Sequence, residues 1–342
     1  MTTSAGAPEV CALAARLATA AKLPPPVSLT GLAGGKNNRV YRVTLEGRDA
    51  PVVLKCYFSD ARDVRDRRHA EWTFLERAWA AGIRNVPEPL ATEPAAHAAL
   101  YSFVTGGKLA PGEVADAHVA AAIRFVVAIN RTAGISLPLP TASEACFSIA
   151  AHVDTVDRRV ARLANLDGTA PRVDDARRLV ADRLVPAWTR IRSRILALPG
   201  DATEELGQAN RCISPSDFGF HNALVSATGD VSFIDFEYAG RDDPAKLVCD
   251  FFCQPEIPVP TGHLDGVLDG LSGGLPVDAH FRDRAMTLLD AYRIKWACII
   301  LNEFLPVDAA RRAFADAGAR EARCEIQLAK AAHTLSQVDE TA

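Results

Sequence analysis

The sequence holds no apolar run approaching the roughly eighteen residues of a membrane-spanning helix. It has no basic excess either: 38 Lys and Arg stand against 42 Asp and Glu, a formal net charge of −4. That argues against a surface built for nucleic acid or for an anionic membrane. Closely spaced cysteines are scarce. Cys11, Cys56, Cys146, Cys212, Cys249, Cys253, Cys298 and Cys324 are scattered singly, and only Cys249 and Cys253 lie near each other, four apart on an expected helix. No thiolate or imidazole spacing beside them fits a metal site, so all eight are expected to be small apolar core residues. There is no internal repeat and no low-complexity tract beyond Ala-rich helices. The amino-terminal stretch MTTSAGAPEVCALAARLATAAKLPPP lacks the basic start and long apolar core of a signal peptide, so the cytoplasm is the expected compartment.

What is present is an ordinary globular composition, 49% hydrophobic and 23% charged, in a chain of 342 residues long enough for two lobes. Val10, Leu13, Ala14 and Leu17 recur at helical spacing and predict a helix that Pro24, Pro25 and Pro26 stop. VSLTGLAGGKNNRVYRVTLEGRDAPVVLKCYF predicts a strand, a glycine turn, a second strand, a hairpin at Glu46–Asp49 and a third strand. Tyr41, Val43 and Leu45 alternate with polar residues, as in a half-buried strand. DVRDRRHAEWTFLERAWAAG predicts a helix with a stripe of Ala70, Phe74, Leu75 and Ala78, stopped at Gly82. ALYSFV is a further strand and TGGKLAPGE a linker. Helices are then expected at about 112–133, 143–166, 173–199, 242–253, 278–303 and 306–336. The expected organisation is residues 1–26 as an amino-terminal helix and linker, 27–105 as a β-rich lobe and 106–342 as a helical lobe.

The helical part is interrupted by CISPSDFGFHNALVSATGDVSFIDFEYAG, a loop and two short strands. Phosphoryl transfer needs a positioned hydroxyl, metal ions on the phosphates and charge compensation. Asp217 can orient or deprotonate an attacking hydroxyl. Asn222 offers a metal a neutral oxygen and Asp235 a charged one, the few oxygen ligands that magnesium accepts. Turn-forming Asp and Asn are the bland alternative. Lys55 in VVLKCYF is a charge inside an apolar strand, costly unless paired, and Glu71 on the next helix is within reach. A solvated edge lysine with a surface glutamate is the competing account. Gly34 and Gly35 link two strands in a turn whose N–H groups can approach phosphates, although hairpins use glycine anyway. His221 invites a role as base, but a loop histidine filling space is the preferred account, with Asp217 better placed. Lys295, Asn302 and Glu303 in YRIKWACIILNEFLP are candidates to line a substrate pocket; a core helix with a polar edge is preferred. Asp242 and Asp243 read as caps of the following helix.

The order of glycine turn, strand lysine, helix glutamate, Asp-x4-Asn and strand-Asp-Phe resembles the protein-kinase-like superfamily. The chain is most similar to the aminoglycoside phosphotransferase and choline kinase group, over roughly residues 28–305. The resemblance implies an α+β, protein-kinase-like two-lobe fold: a small antiparallel sheet with one main helix, and a larger, mostly helical lobe. It implies Asp217 as the catalytic residue, Asn222 and Asp235 as metal ligands, Lys55 on the phosphates with Glu71 as its partner, and Gly34 and Gly35 as the phosphate turn. Ser102, Phe103 and Val104 match the hinge whose backbone holds the purine. Glu237 would lie near metal or substrate, and Asp250 would brace the loop. The implied cofactors are ATP or GTP and Mg²⁺, and the implied partner is a small hydroxyl acceptor, not nucleic acid or membrane. No motif names the acceptor among aminoglycosides, choline, ethanolamine, homoserine, sugars and other metabolites, and none fixes the oligomeric state.

Two departures bear on the activity. Pro215 stands where the family often carries a histidine, two residues before the catalytic Asp. In the family that histidine is taken to brace the strand-end Asp and the loop backbone; a proline there stiffens the loop but supplies no such brace. The alternative it raises is a nucleotide-binding pseudokinase without turnover. No alanine-proline-glutamate signal comes after FEYAG, which favours a small-molecule acceptor over a protein.

Overall fold

The computed structural model describes residues 8–32, 38–59, 65–131, 137–306 and 320–339. Gly34 and Gly35 therefore lie outside the described residues, as do residues 307–319 of the last expected helix. The architecture is the expected two-lobed α+β fold, one lobe an antiparallel sheet with helices and the other mostly helical. By compactness, one unit comprises residues 1–109, 128–143 and 215–240, and the other residues 110–127, 144–214 and 241–342. Among the described residues no helix is long and apolar enough to cross a membrane.

In the first unit β1 (Pro26–Gly31), β2 (Arg39–Leu45), β3 (Arg48–Cys56), β4 (Pro89–Glu93) and β5 (Ala98–Ser102) form one antiparallel sheet in the order β1-β2-β3-β5-β4. The hairpin between β2 and β3 turns at Glu46 and Gly47, with Leu45 opposite Arg48. β4 is not among the expected strands; it is short and starts on a proline, which an edge position tolerates. The helix α1 (Pro8–Ala20) buries Leu13, Ala14, Leu17 and Ala18 in one core with Val43, Leu45, Val52 and Leu54. Because strand side chains alternate, Lys55 projects from β3 on the opposite face to Leu54. That face receives α2 (Arg67–Ala80), which Asp66 caps by accepting from the His69 N–H at 2.8 Å. Gly82, at φ +78°, is the expected stop; its left-handed conformation favours glycine, and its N–H reaches the Trp79 carbonyl at 3.1 Å.

The helices beyond the sheet are α3 (Asp116–Asn130), α4 (Ile149–Arg162), α5 (Val173–Leu179), α6 (Val185–Leu196), α7 (Pro244–Cys253), α8 (Leu264–Ser272), α9 (Phe281–Ile300) and α10 (Arg320–Asp339). The helix expected from residue 143 starts later because Ser148 caps it, accepting from the Ala151 N–H at 3.2 Å. The long pattern at 173–199 is α5 and α6 joined by a π-helical turn, Val180–Leu184. α8 has no counterpart among the expected helices. In the helical unit α9 is the hub: its Ile294, Ala297 and Cys298 share a core with Val153 and Val156 of α4, Ile191 and Ile195 of α6, and Ala331 and Leu335 of α10. Cys249 and Cys253 are buried, with their thiols on the Ala285 and Leu289 carbonyls, and burial pushes both thiols up, as core packing predicts; Cys11, by contrast, is exposed and Cys56 half-buried.

Candidate active site

Lys55 is not a solvated edge lysine. β3 is the central strand of its sheet, and Lys55 is only 6% exposed. Its Nζ lies 2.6 Å from Glu71 Oε2 and 2.5 Å from Asp235 Oδ1. Burial opposes the ammonium charge, but the carboxylates of Asp235 and Glu71 outweigh it and hold the pKa well above the usual lysine value. Glu71 is 3% exposed, and burial pushes its carboxyl above the usual range, against the pull of Lys55 and of a hydrogen bond from Tyr57. That bond, 2.7 Å from the Tyr57 hydroxyl, is backed by a 2.7 Å contact between the Tyr57 and Tyr101 hydroxyls. The other oxygen of Glu71 accepts from the Phe236 N–H at 3.3 Å, tying α2 to the segment that carries Asp235. Stacking of Phe74 on Phe236, centroids 4.5 Å apart, fixes the same junction.

The segment bearing Asp217 leaves a short strand β6 (Cys212–Ser214) through buried Pro215. Ser216 then takes a left-handed φ of 65°, unusual for a residue with a side chain, and turns the chain so that the Asp217 side chain is 35% exposed. Phe218 and Phe220, 4% and 0% exposed, anchor the loop beneath it. The Asn222 side-chain N–H₂ donates to the Asp217 carbonyl at 2.9 Å, which leaves the Asn222 side-chain oxygen as the available ligand atom. Asn222 leads into β7 (Ala223–Val225), which pairs antiparallel with β8 (Val231–Phe233). The Ile234 N–H returns to the Asn222 carbonyl at 2.9 Å, so Asn222 and Asp235 flank the same end of one hairpin. Asp235 itself adopts a left-handed φ of 69°, a cost that such segments carry where a side chain must be aimed. One carboxylate beside one neutral amide oxygen suits magnesium, which takes few protein ligands and completes its shell with phosphate and water. The Asp235 carboxylate faces a cation of the chain itself, the Lys55 ammonium.

Glu237 is 4% exposed and accepts a short hydrogen bond from Asn38, whose own side-chain oxygen takes the Phe58 N–H at 3.2 Å. Asp250 and Glu303 belong to the helical unit. Asp250 accepts from Lys295 at 2.7 Å and from Trp296 Nε1 at 2.8 Å, with Lys246 at 3.6 Å. Glu303 is 1% exposed and faces Arg323 at 3.3 Å. With Lys295 held by Asp250 and Glu303 by Arg323, these contacts favour a core helix with a polar edge over a pocket wall. Asp243 does cap α7, accepting from the Ala245 N–H at 2.8 Å. Asp242, fully buried, holds Lys246 at 2.5 Å, which is more than capping.

Sequence reasoning misses three contacts made to these residues. Tyr57 lies two residues beyond Lys55, so strand alternation is the signal for it. Asn38 carries no signal beyond its place after the glycine turn. His221, expected only to fill space, places Nε2 3.2 Å from Asp217 Oδ1.

Residues 28–253 match the profile of the phosphotransferase enzyme family. The chain belongs to that family. Its activity is therefore phosphoryl transfer to a hydroxyl acceptor, with the nucleotide and magnesium dependence typical of the family. No curated protein matches the sequence. Solved structures share the fold. A spectinomycin phosphotransferase with ADP and spectinomycin bound is 13% identical, with TM-score 0.62, over 94% of this chain and 97% of that one. A choline kinase from Streptococcus pneumoniae is 13% identical, with TM-score 0.60, over 97% and 100%. A choline/ethanolamine kinase family protein from Mesorhizobium loti is 19% identical, with TM-score 0.55, over 96% and 98%.

Proposed function

We propose that this phosphotransferase moves the γ-phosphoryl group of ATP or GTP to a hydroxyl of a small molecule, with Asp217, Asn222, Asp235 and Lys55 as its working residues. The observation that carries the reading is the buried Lys55, joined at once to Glu71 and to Asp235. A lysine so desolvated keeps its charge because two carboxylates face it, and a triphosphate is a ligand that such a held charge can meet. Glu71 keeps the ammonium in place. Asp235 and Asn222 would hold Mg²⁺, which supplies charge neutralisation across the phosphates. Asp217 orients the acceptor hydroxyl and takes its proton as the acceptor O–Pγ bond forms and the bridging O–Pγ bond breaks, releasing the nucleoside diphosphate. At the hinge, the Ser102 N–H is bonded to the Glu88 carbonyl at 2.9 Å, so the purine edge is left to the backbone of Phe103 and Val104.

The segment after Asp235 favours a small acceptor. Residues 236–243 lead directly into α7, and the chain there is fastened down: the Ser143 N–H donates to the Tyr238 carbonyl at 3.0 Å. A Cβ at Gly240 would lie 2.4 Å from the Pro140 carbonyl oxygen and 2.4 Å from the Ala142 nitrogen, so the backbones touch. A segment held this closely offers no extended platform for a peptide. Spectinomycin, choline and ethanolamine, named for the structural neighbours, are reasonable first acceptors, beside sugars and amino alcohols. The test is to incubate the purified protein with Mg·ATP and such a panel and to detect phosphate esters by ³¹P resonance and mass. Ester formation on a small hydroxyl compound is expected. Transfer to peptides with none to small molecules would overturn the acceptor class.

A further inference from the structure

Pro215, two residues before Asp217, has no N–H and no polar side chain. Two contacts come from the carboxy-terminal side. His221 lies in the one-turn 3₁₀ segment Phe220–Asn222, with Nε2 3.2 Å from Asp217 Oδ1. The next residue, Asn222, holds the Asp217 main-chain carbonyl, and its own N–H closes on the Gly219 carbonyl at 3.1 Å. Backbone and carboxylate of Asp217 are thus each held by a neighbour in the same turn. The His221 main chain is in turn contacted by Lys108, whose Nζ is 3.4 Å from its carbonyl oxygen.

The chemistry of the ring argues against simple filling. The His221 side chain is 15% exposed, and its Nδ1 is buried with no hydrogen-bond partner among the described residues. When Nε2 donates to Asp217 in the neutral ring, Nδ1 is left as a desolvated acceptor, which is unfavourable. A residue that only occupied space would be better as leucine or phenylalanine.

We propose that His221 is a positioning residue of the phosphotransfer site: it fixes the plane of the Asp217 carboxylate before the acceptor arrives. The inference rests on the role given to Asp217 above. It makes His221 matter for turnover and not for nucleotide affinity, since its contact is with the carboxylate that meets the acceptor.

The test compares His221→Leu, His221→Gln and His221→Asn. The amide nitrogen of glutamine reaches the place of Nε2, whereas that of asparagine reaches only the place of Nδ1. Water serves as the acceptor probe, so the readouts are Mg·ATP hydrolysis, calorimetric affinity for Mg·ADP, and the melting temperature. His221→Leu and His221→Asn are expected to lose about 10- to 100-fold in kcat, the usual penalty for a misplaced catalytic group, with ADP affinity unchanged. His221→Gln is expected to recover most of the loss. Unchanged kcat in the leucine and asparagine variants, or glutamine no better than asparagine, would overturn the proposal while leaving the phosphotransfer reading intact. Wild-type hydrolysis that does not depend on Asp217 would overturn that reading, and the role of His221 with it.

Discussion

Replacing Lys55 by methionine tests the buried centre of the site. The substitution keeps the length of the side chain and removes its charge, leaving Glu71 at 3% and Asp235 with a side chain 39% exposed. Asp235 can regain water, so the main cost is the stranded Glu71. Breaking a buried pair from one side typically costs 3–5 kcal/mol, and with one of the two carboxylates able to rehydrate, about 3 kcal/mol is expected near pH 8. For a chain of 342 residues unfolding as one unit, that is a drop of roughly 4 °C in Tm. Glu71 offers an escape, because burial already raises its pKa and loss of Lys55 raises it further. An acid whose pKa is higher folded than unfolded takes up a proton on folding. The penalty is therefore small near pH 4.5 and grows as pH rises towards the folded pKa. In the wild type the Lys55 contribution is constant over this range, since its pKa lies well above 10.5. Denaturant unfolding of wild type, Lys55→Met and Lys55→Met/Glu71→Gln, at about pH 5 and pH 8, measures the effect. The single variant should be worse at the higher pH, and the double variant should recover at least about 1 kcal/mol there. A penalty under about 0.5 kcal/mol, or one independent of pH, would refute the buried pairing.

The same geometry carries two further outcomes. Asn38→Ala removes the hydrogen bond to Glu237, worth about 1 kcal/mol; the unfolding free energy should fall by about that amount, and an unchanged stability would refute the contact. His152 is fully buried between Tyr292 at 2.7 Å and Asp243 at 3.2 Å; burial lowers its pKa, but Cys146 and the Asp243 carboxylate more than offset this and raise it to about 9. A histidine with a raised pKa stabilises the fold fully below its unfolded value of about 6.5, and the stabilisation fades as pH rises through about 9. The His152 contribution should therefore fade by up to about 3 kcal/mol over that window, and the stability difference between wild type and His152→Asn should shrink with it.

The parts of the site that can be read from sequence are those where one residue type stands out against a periodic background. Lys55 is legible because a charge interrupts an apolar strand, and Asp235 because it ends one. The stripe of α2 is legible in Phe74, Leu75 and Ala78, but the same helix also buries Arg67, Arg68, Glu71 and Arg77, which no apolar pattern reveals. β4 escapes because its five residues, Pro89–Glu93, begin on one proline, run into another and show no alternation, and the π turn at Val180–Leu184 because its pattern is continuous with the helices on either side. His221 is visible as a residue but not as a contact: its direction depends on the left-handed Ser216 and the 3₁₀ turn, and local sequence does not fix either. The polar residues of Tyr292–Pro306 are legible as types, but their partners, Asp250 and Arg323, are distant in sequence.

The most direct measurement is the Asp217→Asn variant, assayed for Mg·ATP turnover with and without the hydroxyl panel and for Mg·ADP binding by calorimetry. The account predicts turnover lost by at least about 100-fold with ADP affinity within a few-fold of wild type. Turnover near the wild-type level in Asp217→Asn would contradict it.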